Sequence, residues 1–221
     1  MTLTVETIGA EAQPLCILDD FAPRPDALRA AAAEADFESA RHHYPGVRAA
    51  LPGFYLESQL SIIAAAARLV FGVVGEVRLI DASFSIVATP AAALSVVQRV
   101  PHCDAFTADR IALIHYLSPD DRDGTAFFRH RATGFETVNE ERRAAYAAAL
   151  DAELATAPPP PGYIAGDTDA FERIHAAEAR YNRALLYRSW NLHSGAIAPG
   201  AALSADPRDG RLTVTAFLSI V

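Results

Sequence analysis

The chain has 221 residues, 51% of them hydrophobic and 21% charged, with a net charge of −8 and a mean hydropathy of +0.12. This apolar content supports a packed core and excludes wholesale disorder, and the length suits one generous domain. An acidic chain gains no electrostatic help in meeting a phosphate backbone, so a general nucleic-acid binder is not expected.

In chain order, Pro14–Phe21 (PLCILDDF) reads as a short strand ending in an acidic turn. Asp20 or Pro25 then starts an alanine-rich helix reaching about Phe37, with Leu28 and Ala32 on its buried side. Arg41–Leu56 is dense in turn formers, with Pro45-Gly46 and Pro52-Gly53 marking turns, and reads as irregular. A second helix is expected over about Glu57–Phe71. The apolar stretch Leu60–Val74 is interrupted by Arg68 and falls short of the ~20 residues of a membrane span, so it reads as a buried helix. Met1–Glu6 carries neither basic residues nor an apolar run of the kind that opens a signal peptide. Cys16 and Cys103, 87 positions apart, make neither a disulfide framework nor a cysteine zinc site. A cytoplasmic protein with no membrane partner is the expectation.

From Glu76 the pattern changes to period two with β-branched content. Val77–Ala88, Leu94–Val100, Arg110–Leu117 and Thr125–His130 read as strands, with the polar stretch Asp120–Gly124 connecting the last two. Asn139–Ala157 reads as a helix stopped by Pro158–Gly162, and Asp167–Ala179 as another helix. Strands then resume at Asn182–Tyr187, Asn191–Ile197 and Arg211–Ile220. Seven or eight strands interrupted by one helical insertion suggest a β-sandwich or jelly roll rather than a βαβ fold.

The chemistry centres on His102-Cys103-Asp104. In extended chain, residues i and i+2 project to the same side, so His102 and Asp104 present an imidazole and a carboxylate together while Cys103 points away. These are two of the three ligands of a 2-His-1-carboxylate triad, a set that leaves open positions on Fe(II). The spacing alone equally describes a polar turn between strands. His193, on a later strand, is the candidate third ligand. Arg211 and Thr213 share a face of the last strand, and a guanidinium fork with a hydroxyl suits the distal carboxylate of a dianionic keto acid. Read singly, they are equally an arginine in solvent at the start of a strand and a threonine of ordinary strand propensity.

The ordered series HxD, a distal His about 90 residues on, and Arg-x-Thr on a terminal strand resembles the Fe(II)/2-oxoglutarate-dependent dioxygenase superfamily, particularly its bacterial prolyl-hydroxylase-like members. PLCILDDFAPRPDALRAAA is similar to the strand-and-helix opening of that family, RIALIHYL with DDRDGTAFFRHR to its strand pair after HxD, and YPGVRA to an uncharacterised bacterial subgroup. The resemblance covers about residues 14–221. It implies a mainly β fold, a double-stranded β-helix (jelly roll) with flanking helices, arranged here as one domain. Residues 1–75 would form an αβ support, 76–138 and 180–221 the barrel, and 139–179 a helical insertion that covers the site or mediates contacts in a homodimer.

The resemblance also implies that His102, Asp104 and His193 hold Fe(II), that 2-oxoglutarate is the co-substrate, and that Arg211 with Thr213 receives its far carboxylate. Tyr116 would either offer its hydroxyl to 2-oxoglutarate or pack in the barrel. Arg211 lies 18 residues after His193, whereas prolyl-hydroxylase-like members often have Lys about ten residues after it. The implied activity is hydroxylation of a peptide or protein side chain or of a small metabolite. A catalytically silent jelly-roll binding protein and a cupin-like metal enzyme without a keto acid are the alternatives.

The remaining histidines, Trp190 and Cys103 have ordinary structural readings as well as functional ones. His115 reads as a strand-face histidine. His130, with Arg129 and Arg131, reads as a solvated basic turn or a site for an acidic group. His175 falls on an expected helix, His42 and His43 on a loop at the substrate side, Trp190 in the core, and Cys103 as a small buried side chain.

Overall fold

Alternation of small and apolar side chains sets the architecture. This computed structural model describes residues 1–40, 43–119 and 123–221, so His42 and the 120–122 part of the polar connection lie outside the described residues. The elements are β1 (Thr2–Ile8), β2 (Gln13–Asp19), α1 (Pro25–Ala33), β3 (Glu38–Ser39), β4 (Gly46–Ala50), α2 (Gly53–Phe71), β5 (Val77–Val87), β6 (Arg110–Tyr116), β7 (Thr125–His130), α3 (Glu140–Thr156), β8 (Phe171–Ala177), β9 (Ala184–Arg188), β10 (His193–Gly195) and β11 (Arg211–Ile220). An eight-stranded sheet in the order β1-β2-β9-β6-β11-β5-β4-β3 faces a three-stranded sheet in the order β10-β7-β8, and the pairs are antiparallel throughout. The result is a mainly β jelly roll with three flanking helices.

The large sheet is buried on both faces, which is why its central strands read as near-continuous apolar runs. Cys16, Leu18, Ile111, Leu113, Ala184, Leu186, Leu212 and Val214 point outward to a layer containing Leu28 and Ala32 of α1 and Tyr55, Ile63 and Phe71 of α2. Their neighbours Leu15, Ile17, Ala112, Tyr116, Leu185 and Tyr187 point inward, to a second layer shared with Phe127 of the small sheet. Ala126 and Phe128, on the other face of β7, close a third layer with Tyr146 of α3. The period of two thus sorts each strand between two cores. α2, with 19 residues and a mean hydropathy of 1.3, is long and apolar enough to cross a membrane by length and composition. Here it lies on the large sheet through Tyr55, Gln59, Ile63, Ala66, Ala67 and Phe71.

Several expectations are corrected. Leu94–Val100 is not a strand but includes the second of two short 3-10 turns, Ala91–Ala93 and Val96–Arg99. Ser95 and Gln98 form a capping box around the second, a local arrangement that satisfies backbone donors without a strand partner. Asp167–Ala179 is not a helix: Phe171–Ala177 is β8, paired along β7. Its Glu, Arg and Ala content favours helix intrinsically, but pairing with β7 and burial of Phe171 and Ala177 override that preference. His175 is therefore on a strand, beside Glu6. α1 ends at Ala33, four residues early, and α2 starts at Gly53, directly after Pro52. Three strands are not among the sequence expectations: β1, the two-residue β3, and β4 within the segment read as irregular. Gly46 shows why β4 needs its glycine, since a Cβ there would lie 1.9 Å from the Ile86 carbonyl oxygen.

Candidate metal centre

Between the two sheets lies a cavity of about 560 Å³. Its floor follows from the same alternation. Leu212, Val214, Ala216 and Leu218 of β11 face the helices, so Arg211, Thr213, Thr215 and Phe217 face the cavity. On β5, Phe84 and Ile86 face the helices and Asp81 and Val87 the cavity. The volume falls within the ~300–1,000 Å³ usual for small-molecule sites.

At one side of this cavity His102, Asp104 and His193 converge. One potential ligand atom from each lies within 4.8 Å of the other two, and among the described residues no other group of three His, Cys, Asp or Glu meets this condition. The backbone enforces the meeting. His102 and His193 form an antiparallel bridge in which each N–H donates to the other's carbonyl at 2.9 Å. Both imidazoles therefore emerge side by side, with ring centroids 4.5 Å apart. The Asp104 N–H donates to the Ser189 carbonyl at 2.8 Å, which fixes the third side chain. Asp104 places Oδ1 3.7 Å from His102 Nε2 and Oδ2 3.5 Å from His193 Nε2.

The tautomer of His193 follows from its partner. Nδ1 lies 2.9 Å from the Asn191 carbonyl oxygen, which can only accept, so Nδ1 carries a proton, and in the neutral ring Nε2 is the lone-pair nitrogen that faces Asp104. A lone pair directed at a carboxylate is unfavourable unless a cation lies between them. The donor set of two imidazoles and one carboxylate, with one ring oriented by a backbone carbonyl, fits a divalent transition metal. His102 is open to the cavity, with 55% of its side-chain surface accessible, while His193 is buried. The surrounding protein lowers the His102 pKa from its usual value and the Asp104 carboxylate opposes this. Tyr187 packs edge-on against His193 at 4.8 Å. Cys103 faces away toward the third core layer, and burial, with the Asp104 charge beside it, pushes its thiol up to about 12.

Arg211 lines the cavity, with its guanidinium over the Tyr116 ring at 5.6 Å. Nε donates to the Asp123 carbonyl at 2.6 Å and Nη2 to the Gly124 carbonyl at 2.9 Å, so among the described residues Nη1 remains for a ligand. The Thr213 hydroxyl, buried at the cavity wall, donates to the Ser85 carbonyl at 3.1 Å. Tyr116 does not line the cavity. Its hydroxyl shares a 2.7 Å hydrogen bond with Thr125, and its ring supports Arg211.

His115 is a core residue, bonded to Tyr55 and Asn182. His130 is neither solvated nor free for an acidic ligand: it is fully buried between Thr133 and Glu153. Trp190 is half-buried, its indole N–H donating to Gln13. His43 does line the cavity, as do Tyr44, Arg48, Asp81 and Tyr163, none of which was singled out from the sequence. For Arg48 a signal existed, the alternation Val47-Arg48-Ala49 placing a charge opposite two apolar neighbours.

A model of the DUF6445 family, described as a family of unknown function, matches residues 1–218. Among curated proteins none matches the chain. Solved structures resemble it in fold. HygX from Streptomyces hygroscopicus, solved with nickel, 2-oxoglutarate and hygromycin B bound, is 11% identical over 96% of this chain and 84% of that one, with a TM-score of 0.50. SnoK, a non-heme alpha-ketoglutarate-dependent carbocyclase from nogalamycin biosynthesis, is 12% identical over 98% and 87%, with a TM-score of 0.49. EctD from S. alaskensis, solved with bound Fe, is 13% identical over 99% and 84%, with a TM-score of 0.45.

Proposed function

The chain belongs to DUF6445, a family of unknown function, and we propose that it is an Fe(II)- and 2-oxoglutarate-dependent oxygenase in which His102, Asp104 and His193 are the metal ligands. The observation that carries this reading is the convergence of those three side chains at a cavity wall that also presents Arg211. The jelly-roll fold shared with HygX, a protein solved with nickel and 2-oxoglutarate, supports it.

When bound, iron and 2-oxoglutarate would supply the chemistry that uses dioxygen as the oxidant, one oxygen atom ending in succinate as the keto acid loses CO2 and the other in the hydroxylated substrate. The chain supplies geometry. The His102–His193 bridge and the Asp104 main chain hold the three donor side chains together at the cavity wall, where they would hold the ion. Asn191, through its carbonyl, keeps the proton on His193 Nδ1 and off the coordinating nitrogen. Arg211, supported on Tyr116 and tied to residues 123 and 124, offers Nη1 to the far carboxylate of the keto acid. Thr213 donates to a carbonyl here and would have to turn its hydroxyl to add a hydrogen bond. Ala112, Ile114, Val87 and Phe217 give part of the cavity wall an apolar surface against which the non-polar portion of a substrate can pack.

Purified protein supplied with Fe(II) and 2-oxoglutarate should form succinate slowly without added substrate, and His102→Ala should abolish this. Equal succinate from the two proteins would sink the assignment. Hydroxylation remains the reaction we favour. The cavity of about 560 Å³ has room for a small metabolite.

A further inference from the structure

The cavity extends sideways from the three ligands, across β11 and β5 to β4, and its far wall carries charge that neither the triad nor Arg211 uses. Register locates that wall. Phe217 of β11 pairs with Asp81 of β5 on one side and with Ala112 of β6 on the other, and Ala112 pairs with Tyr187 of β9, which packs on His193. Asp81 is therefore on the same rung as the ligand cluster. Arg211 is six residues away along β11, on the rung of Val87. Arg48, opposite Ser85 on β4, reaches back toward Asp81, its Nη1 3.9 Å from Oδ2. Its guanidinium lies over the Tyr44 ring at 4.6 Å.

Two polar atoms at this wall are left wanting. Arg48 Nε and the Tyr44 hydroxyl are both buried without a hydrogen bond of good geometry among the described residues, although the Ser85 and Thr213 side chains lie beside the hydroxyl. The Asp81 contact, at 3.9 Å and on a side chain 58% exposed, is too long for a hydrogen bond and leaves the guanidinium fork unsaturated. Buried donors without acceptors are destabilising unless a ligand supplies the acceptor. A planar cationic fork beside a phenol hydroxyl matches a carboxylate.

We propose that Arg48 and Tyr44 hold a carboxylate of the primary substrate, which is accordingly a small organic acid bound on the β4–β5 side of the metal. This rests on the oxygenase reading and adds the substrate class. The position borders that of the co-substrate, since Arg48 is on the Ser85–Thr213 rung, two residues along β11 from Arg211, so the separation of the two carboxylates is what the experiment reads.

The test begins with anaerobic Fe(II)-loaded protein titrated with 2-oxoglutarate by calorimetry. No binding at this first step would remove the oxygenase reading and this proposal with it. With 2-oxoglutarate saturating, benzoate, phenylacetate and hexanoate are then compared with benzamide, phenylacetamide and hexanamide by thermal shift and calorimetry. At least one acid should bind about tenfold or more tightly than its amide, the discrimination expected of a charge-assisted pair. Arg48→Gln should erase that preference while changing the 2-oxoglutarate Kd by less than about threefold, and Arg48→Lys should restore part of it. Two outcomes overturn the proposal. One is equal binding of acids and amides by the wild type. The other is a loss of 2-oxoglutarate affinity in Arg48→Gln of about tenfold, which would make Arg48 part of the co-substrate site.

Discussion

His115 lies fully buried between α2 and the turn before β9, its ring 5.1 Å from Phe21 and bonded to two neighbours. Asn182 accepts the Ala22 N–H through Oδ1 and donates through Nδ2 to the Ala22 carbonyl, which fixes its orientation and makes His115 Nε2 a donor to Oδ1. His115 Nδ1 then accepts from Tyr55. Burial outweighs the Asn182 hydrogen bond and lowers the pKa from 6.5 to about 4. The unfolded chain therefore binds a proton that the folded chain refuses. Stability from this residue is complete above pH 6.5, falls as pH drops below it, and is gone below about 4. The loss amounts to about 3 kcal/mol over that window. Denaturant midpoints of metal-free wild type and His115→Gln, measured from pH 7 to 4, should show the wild type falling more steeply; parallel curves would refute it. At this scale the sequence was legible where chemistry is written in residue type and spacing, as in His102-x-Asp104. It carried only a local alternation for Arg48 and nothing for Asp81, whose juxtaposition comes from register between strands distant along the chain.

The β1–β2 turn is clamped by a single carboxylate. Glu136, 3% exposed, accepts N–H donors from Ala10 at 3.0 Å and Glu11 at 2.9 Å, and pairs with Arg129 at 2.5 Å. Glu11 returns the contact by accepting from Thr137 and Arg142. Burial opposes ionisation of Glu136, but the two backbone donors and Arg129 together hold its pKa below the usual 4.5. Its contribution is present above pH 4.5 and is lost only as pH falls through the lowered value. Glu136→Gln should cost about 2 kcal/mol, the scale of hydrogen bonds to a charged group, as read from urea unfolding at pH 7; a cost below about 0.5 kcal/mol would show that the clamp is not stabilising. Gly9, at φ +67°, makes the close approach possible, since a Cβ there would lie 2.0 Å from Glu136 Oε2. Elements with strong alternation, such as β5, β7 and β11, were readable almost to the residue. β8 was not, because its composition favours helix and only pairing with β7 makes it a strand. The Val96–Arg99 turn was missed because two valines suggested a strand, although both are more than 40% exposed.

Across the whole molecule, helices, large sheet, small sheet and α3 stack as successive layers, with the cavity between the sheets. An ion held by both His102 and His193 would bind only the assembled state, because no such pair of ligands persists when the sheets separate. Nickel(II) at 100 times its Kd should therefore stabilise the protein by about 2.7 kcal/mol, seen as a rise in Tm, and Asp104→Asn should lose most of that rise. An undiminished rise in the variant would place the ion elsewhere. The His102–His193 bridge has another consequence, one of chain order. Its partners are 91 residues apart, and the strands that carry the intervening segment must be in place before they meet. Synthesis from the N-terminus delivers His102 and Asp104 before His193, so a nascent chain holds two of the three ligands while the next 89 residues are added. The full set of three ligands thus exists only once residue 193 has been added, late in the making of the chain.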